Sequence, residues 1–312
     1  MKVIHHISEF DSSEQTIVTI GTFDGVHIGH RKIIKRLIDA ANQTNSKSTL
    51  LTFFPHPRMV LQQNSDLKLI NTLEEKEKIL AQTGLDNLII QPFTLEFSRL
   101  RAENYVKDIL VDQLNAKKII IGYDHRFGRN RTANIDDLRD FGKKYNFSVE
   151  EISKQDIDEV AVSSTKIRNA LNQGDIELAN SYLTQAFQLT GEIVRGKGLG
   201  RELGYPTANL KIKEDYKLIP REGVYVVQSE IDEKLYFGLM NIGTNPTFDE
   251  VNQSIETYFF DLNKDLYNQK ISIQLLKRLR DEQKFDGPNQ LIEAMNKDKE
   301  QALNYIDALK NA

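Results

Sequence analysis

Two hydrophobic periodicities divide this chain, and they do not mix. Up to about residue 186, short apolar runs alternate with helical spacings; beyond it, strand patterns follow one another directly. Thr16–Gly21 (TIVTIG) is a β-branched run ending in glycine, and Arg31–Ala41 then places apolar residues at helical intervals. Ser48–Phe54 predicts a second buried strand. Thr72–Gln82 predicts a helix with Thr72 as N-cap and Glu75 three residues later, a capping-box arrangement. Asn87–Gln91 and Lys117–Ile121 are continuous apolar runs of the kind covered on both faces of a parallel sheet. Ile135–Tyr145 predicts another helix, and Ser148–Ile152 a strand. Alternation at this rhythm specifies a doubly wound parallel α/β sheet.

From Phe187 onward the spacing changes. Gln188–Val194, Gly223–Ser229, Leu235–Asn241, Ile255–Asp261 and Lys270–Leu279 predict strands in succession, with turn signals at Asp232-Glu233 and Asn263-Lys264-Asp265. Asn289–Ala308 predicts one closing helix. The expected architecture is a small antiparallel β-barrel with a C-terminal helix. A helix over Asn172–Tyr182 bridges the halves, so the expected domains are 1–186 and 187–312.

Charge narrows the partners. Divided at Ala186/Phe187, the 312 residues carry 24 basic and 25 acidic side chains before the cut and 17 and 20 after it. Neither half has the basic excess that nucleic acid or an anionic membrane attracts, so neither partner is expected. Cysteine is absent, which excludes disulfides, thiolate metal sites and cysteine nucleophiles. The N-terminus lacks the apolar run of a signal peptide, and runs such as Ile119–Ile121 are too short to span a bilayer. The expectation is a cytoplasmic protein.

The strongest local signal is Gly21-Thr22-Phe23-Asp24-Gly25-Val26-His27-Ile28-Gly29-His30, between the first strand and the first helix. In a doubly wound sheet, ligands bind at the carboxyl ends of strands, where a helix N-terminus offers free N–H groups to phosphate. Gly21, Gly25 and Gly29 let the backbone turn tightly, and His27 and His30 aim imidazoles at the same place. Two histidines also suit a metal, although no third ligand is evident nearby. A second motif, Val162-Ser163-Ser164-Thr165-Lys166-Ile167-Arg168, taken alone is also what an N-capped amphipathic helix looks like.

The HIGH sequence after GTFDG resembles the nucleotidyltransferase superfamily that transfers adenylyl groups from ATP, and SSTKIR resembles that superfamily's SSTxIR element. Thr52-Phe53-Phe54-Pro55-His56-Pro57-Arg58 and Ile121-Gly122-Tyr123-Asp124-His125-Arg126-Phe127-Gly128 are similar to segments of bacterial bifunctional riboflavin kinase/FAD synthetases. This chain has Phe54 where many members carry an acidic residue, a departure that does not touch the histidine pair. The resemblance implies that His27 and His30 stabilise phosphate charge. It implies ATP-binding roles for Gly21, Phe23, Asp24, Gly29, Ser164, Thr165 and Arg168, and flavin-binding roles for His56, Pro57, Asp124 and Phe127.

The second half carries the other activity. Gly191–Gly198 superficially fits a P-loop, but Gly198 stands where Ser or Thr is needed, and GxGxxG fails at Arg201 and Leu203. Gly196-Lys197-Gly198-Leu199-Gly200-Arg201 leading into Pro206-Thr207-Ala208-Asn209 resembles the riboflavin kinase signature, a glycine-rich loop followed by PTAN. The resemblance implies that Gly196, Lys197, Gly198, Gly200, Arg201 and Pro206 form the nucleotide and flavin loop. Thr207 and Asn209 would place oxygens on Mg²⁺ and phosphate. Arg221–Tyr225, Asn241–Phe248 and Ile255–Tyr258 resemble the same kinase, with Glu256 as general base on the ribityl 5′-hydroxyl. Without the resemblance, Glu256 reads as a solvated strand residue. Arg278, Arg280 and Asp281 lie nearby with no role assigned.

The expected function is therefore bifunctional. The second domain phosphorylates riboflavin with ATP to FMN, and the first joins FMN to an adenylyl group to give FAD and pyrophosphate, both with Mg²⁺. FMN and FAD are substrate and product rather than prosthetic groups. Two rivals are another HIGH-type adenylyltransferase and a non-catalytic flavin or nucleotide sensor.

Overall fold

Alternate residues of a strand point to opposite faces, and all five residues of the central strand, Thr16–Ile20, are buried. Only a sheet covered on both sides satisfies that pattern. In the computed structural model, the sheet contains β1 (Lys2–Ile4), β2 (Thr16–Ile20), β3 (Lys47–Phe54), β4 (Asn87–Pro92), β5 (Ala116–Gly122) and β6 (Ser148–Ile152). All pairings are parallel and the order is β1-β4-β3-β2-β5-β6. The structure describes residues 1–62, 65–122, 125–152, 162–196, 204–247, 250–285 and 287–311.

One face of the sheet sends Val18, Ile20, Leu51, Ile89, Ile119 and Ile121 into a core with Val106, Leu110 and Leu138. The other sends Ile17, Leu50, Leu88, Ile90 and Ile120 against Ile34, Leu37, Ala40, Ala41, Ile79 and Leu80. These last residues belong to α1 (Ile28–Gln43) and, after the short α2 (Pro57–Leu61), to α3 (Leu73–Ala81). The predicted capping box on α3 is present: Glu75 N–H donates to Thr72 Oγ1 at 3.2 Å, and Thr72 N–H to Glu75 Oε2 at 2.9 Å. Two elements differ from expectation. β1 is a three-residue edge strand, too short for a period to show, and α4 (Ala102–Asn104) runs into a π-helical turn over Tyr105–Gln113. α5 (Ile135–Tyr145) forms as predicted, with its own Asn134/Asp137 capping box.

The chain divides into compact units Met1–Ser164 and Thr165–Ala312. The predicted bridging helix is two helices, α6 (Ser164–Gln173) and α7 (Ile176–Leu183), separated at Gly174, whose φ of 82° ends the first. The second unit is a closed antiparallel barrel of β7 (Phe187–Val194), β8 (Ala208–Lys211), β9 (Gly223–Ile231), β10 (Lys234–Thr247), β11 (Glu250–Phe259) and β12 (Lys270–Arg280), ordered β10-β11-β8-β7-β12-β9. The sequence predicts five of these six strands; β8 is only four residues long. Asn180 of α7 ties this helix to the barrel, its side chain donating to Leu275 O and accepting from Phe187 N–H.

α8 (Pro288–Lys310) closes the unit over Val224, Val226, Leu239 and Phe260, inserting Ala302 and Ile306. Arg280 at the end of β12 grips Asp298 of α8 through three hydrogen bonds of 2.7–3.1 Å. That pair is largely buried, with side chains 22% and 6% exposed. Removing one partner strands a charge, whereas removing both does not. Asp298→Ala is expected to destabilise the barrel by about 3–5 kcal/mol, and Arg280→Met with Asp298→Leu by much less. Guanidinium denaturation of the full chain, followed through tyrosine signals, measures both. Equal losses would show that the ion pair is not the anchor.

Candidate active sites

At the carboxyl end of β2 the chain makes a turn that few backbones adopt. Phe23 and Val26 have φ of 46° and 41°, and Gly25 lies between them at 87°. Positive φ at a β-branched valine is strained and persists only when its surroundings over-determine it. Those surroundings are visible. Gly21 N–H donates to Leu51 O at 3.1 Å. The Thr22 carbonyl accepts from Thr52 Oγ1 at 3.2 Å and from Lys76 Nζ at 2.9 Å. The Asp24 carboxylate, 2% exposed, accepts from the Ile70 N–H at 3.0 Å, and its carbonyl from Ser164 Oγ at 2.9 Å. Asp24, expected at the ATP phosphates, thus directs its carboxylate at the 70–71 backbone.

The turn delivers the chain into α1 with His27 as N-cap. His27 Nδ1 accepts the His30 N–H at 3.3 Å, which leaves Nε2 to carry the proton. The two imidazoles stack with centroids 3.6 Å apart, and the Phe23 ring lies 4.8 Å from His30. Gly21 admits that ring, because a Cβ there would stand 3.0 Å from it. Burial pushes the His27 pKa down to about 4, against the pull of Asp24. His30 is held well below its ordinary value by burial, by His27 and by Lys76. Both rings are neutral near pH 7. Two neutral imidazoles and the free N–H groups of α1, with Gly29 in its first turn, make an anion-binding corner. Thr165 and Arg168 follow Ser164 at the start of α6 in the second unit; Thr165 is exposed and Arg168 half-buried.

The end of β3 and the segments after β4 and β5 contribute aromatic rings. Phe53, Phe93 and Phe97 are half-buried and pack at 5.6–5.7 Å, and Tyr105 and Phe127 continue the series inward. Phe127 is 6% exposed and part of the core, pairing its backbone with Ala133. His56 caps α2 by accepting the Arg58 N–H at 3.1 Å, and Pro57 is the first residue of that helix. Phe54 packs against the α1/α3 core. Asp124 lies outside the described residues.

In the second unit, strand register assembles the candidate kinase site. Glu256 on β11 stands opposite Asn209 of β8 on one side and Asn241 of β10 on the other. Thr207 Oγ1 donates to Glu256 Oε2 at 3.1 Å. A Cβ at Gly196 would overlap the Asn209 side chain as placed, so glycine lets the chain pass close against it. Glu256 does face outward, as an isolated strand residue would, with Ile255 and Thr257 turned into the barrel. It is nonetheless half-buried, beside Thr207. Pro206 is exposed at the entry to this segment. Lys197, Gly198, Gly200 and Arg201 lie outside the described residues. Thr207 and Asn209 offer hard oxygen donors of the type Mg²⁺ takes, and a cluster of three His or acidic side chains is absent among the described residues. That donor set fits a cation sharing its shell with substrate phosphates.

Other polar side chains of this unit pair with one another or with the backbone. Arg278 donates to Glu222 O and to Asp281, and Arg221 also reaches Asp281, at 3.0 Å. Tyr205 donates to Asn296 of α8 and packs edge-on against Tyr258 at 5.0 Å. The sequence motifs do not include Lys76, Phe93 or Phe97, and they give Asn241 and Phe53 no role of their own. Lys76 had a signal: it sits three residues from both Leu73 and Ile79, on the apolar stripe of α3.

Known families match both halves of the chain. The family model for FAD synthetase matches residues 9–166, and that for riboflavin kinase matches residues 183–306. A bifunctional riboflavin kinase/FMN adenylyltransferase of Buchnera aphidicola subsp. Schizaphis graminum is 36% identical over 310 residues, 98% of either chain. The one from Bacillus subtilis is 35% identical, covering 99% of this chain and 100% of its own. That from Escherichia coli K12 is 33% identical over 99% and 98%. A solved structure described as a macrolide-efflux protein from Streptococcus pneumoniae superposes with a TM-score of 0.87 at 29% identity, over 97% of this chain and 98% of its own. Among the described residues here, no helix is long and apolar enough to cross a membrane.

The depressed pKa of His27 has a consequence for stability. Unfolded, this imidazole takes a proton below pH 6.5; folded, only below about 4. The native state therefore gains nothing from it above that window and loses ground as pH falls through it, by on the order of 3 kcal/mol in all. His27→Asn keeps an N-cap acceptor but cannot titrate. Denaturation midpoints between pH 7 and 4.5 should fall less steeply in His27→Asn than in the parent chain. Parallel curves would show that His27 is not held neutral.

Proposed function

The chain belongs to the bifunctional riboflavin kinase/FMN adenylyltransferase family, and on that premise we propose how its residues divide the two reactions. The enzyme phosphorylates riboflavin with ATP to FMN and adenylylates FMN with a second ATP to FAD and pyrophosphate. In this reading, residues 1–186 carry the adenylyl transfer and 187–312 the kinase reaction. The SSTKIR segment, at the start of α6, is assigned to the first reaction. The use of ATP supports a cytoplasmic location.

In adenylyl transfer, an oxygen of the FMN phosphate attacks the α-phosphorus of ATP and pyrophosphate leaves. The nucleophile is already ionised, so positioning and charge neutralisation suffice. His27 and His30, neutral and stacked, donate from their ring N–H groups to phosphate oxygens whose charge grows in the transition state. Gly21, Phe23 and Gly29 shape the turn around them. Asp24 holds the turn from behind, and Ser164, Thr165 and Arg168 take the remaining phosphates. The flat flavin ring rests against aromatic faces, Phe53, Phe93 and Phe97, with His56, Pro57, Asp124 and Phe127 shaping that side.

In the kinase reaction, Glu256 accepts the proton of the ribityl 5′-hydroxyl as that oxygen attacks the γ-phosphorus. Thr207 orients the Glu256 carboxylate through its 3.1 Å hydrogen bond, the observation that most supports this reading. Thr207 and Asn209 are the residues that would hold Mg²⁺, which when bound neutralises phosphate charge. Gly196, Lys197, Gly198, Gly200, Arg201 and Pro206 form the loop over nucleotide and flavin.

The test incubates the protein with riboflavin, ATP and Mg²⁺ and separates products by chromatography. FMN should appear first and FAD after it, and a chelator should stop both. His27→Ala with His30→Ala should leave FMN accumulating without FAD. Glu256→Gln should slow FMN formation by about 10²–10⁴ while FAD synthesis from supplied FMN stays near the parent rate. A Glu256→Gln effect below about tenfold would make Glu256 a minor orienting group.

A further inference from the structure

Lys76 is a buried cation that neither reaction as described above employs. It lies on α3, 4% exposed, on the stripe that otherwise inserts Ile79 and Leu80 into the core. Burying an ammonium group costs several kcal/mol unless its surroundings compensate. Here the compensation is specific. Nζ donates at 2.9 Å to the carbonyl of Thr22, the residue that opens the strained Phe23–Val26 turn. The same carbonyl takes the Thr52 hydroxyl, and Asp24, two residues on, supplies the opposing charge. The hydrogen bond is charge-assisted, roughly twice the strength of a neutral one.

The geometry also gives the cation an electrostatic reach. The charges that face the imidazole pair are Asp24 from the turn, acting on His27, and Lys76 from α3, acting on His30. Lys76 thereby disfavours a proton on His30, in the same direction as burial and His27.

We propose that Lys76 is a positioning residue for adenylyl transfer: by holding the Thr22 carbonyl it sets the turn, and with it the angle at which His27 and His30 meet the phosphates. This rests on the reading that those histidines serve adenylyl transfer.

The test is Lys76→Met in the full chain, with two readouts. The first is FAD formation from supplied FMN, ATP and Mg²⁺, with FMN formation from riboflavin as an internal control in the other unit. kcat for FAD should fall about 100-fold, the cost of misplacing reacting groups by about 1 Å, with KM for ATP changed little and FMN formation unchanged. The second is the titration of the imidazole Cε1–H signals by NMR, which does not depend on activity. His30 should begin to protonate at a higher pH in Lys76→Met than in the parent chain. Should that variant lose its dispersed histidine spectrum, Lys76→Gln is read instead. It keeps an N–H donor for Thr22 without the charge, so the His30 shift should persist and the loss in kcat should be smaller. FAD formation within threefold of the parent overturns the proposal. So does an activity loss with an unmoved His30 titration, which would leave Lys76 a packing residue. A parent chain that makes no FAD at all would sink the functional reading separately, while the titration would still judge Lys76.

Discussion

The first site depends on a turn that the backbone would not adopt unaided. Between β2 and α1, two non-glycine residues hold positive φ, one of them a β-branched valine. The conformation survives because the turn is tied from several directions: β3 through Leu51 and Thr52, the 70–71 segment through Asp24, α3 through Lys76, and the start of α6 through Ser164. What the strain secures is placement. His27 becomes the cap of α1 and its own partner in a stack with His30, so both rings and the helix N-terminus point at one volume.

The barrel solves a similar problem by register instead of strain. Asn209, Glu256 and Asn241 become neighbours because β8, β11 and β10 pair where they do; a slip of one residue would send Glu256 to the barrel interior. Thr207, just before β8, then reaches Glu256, and α8 steadies this edge through Tyr205 and the Arg280–Asp298 pair. In the proposed reactions, both constellations manage phosphate charge with few ionised groups. The histidines are kept neutral by burial, and the kinase cluster relies on oxygens of Thr and Asn beside one carboxylate.

Much of this was legible in the residues. Continuous apolar runs announced the parallel strands, the Thr72/Glu75 spacing announced the capping box, and consecutive strand patterns after Phe187 announced the barrel. The histidine pair stood out because turn, helix and motif coincide, and PTAN through its resemblance to the kinase signature. What stayed hidden depends on tertiary partners. β1 and β8 are three and four residues long, too short to show a period, and stand only because neighbours hold them. Asp24 reads like a ligand in sequence, yet its carboxylate is committed to the 70–71 backbone, 46 residues away along the chain. Glu256 reads like an outward strand residue and is one; its cluster appears only when β8 arrives beside it.

In the proposed reactions, two different phosphorus atoms of ATP are attacked in two different units. Label partition tests this most directly. With ATP labelled at the γ-phosphate, label should enter FMN and pass with it into FAD; with ATP labelled at the α-phosphate, label should enter FAD alone. In His27→Asn, γ-label should still reach FMN while α-label incorporation collapses. Alpha label in FMN, or loss of both labels together in a folded His27→Asn protein, would contradict the account.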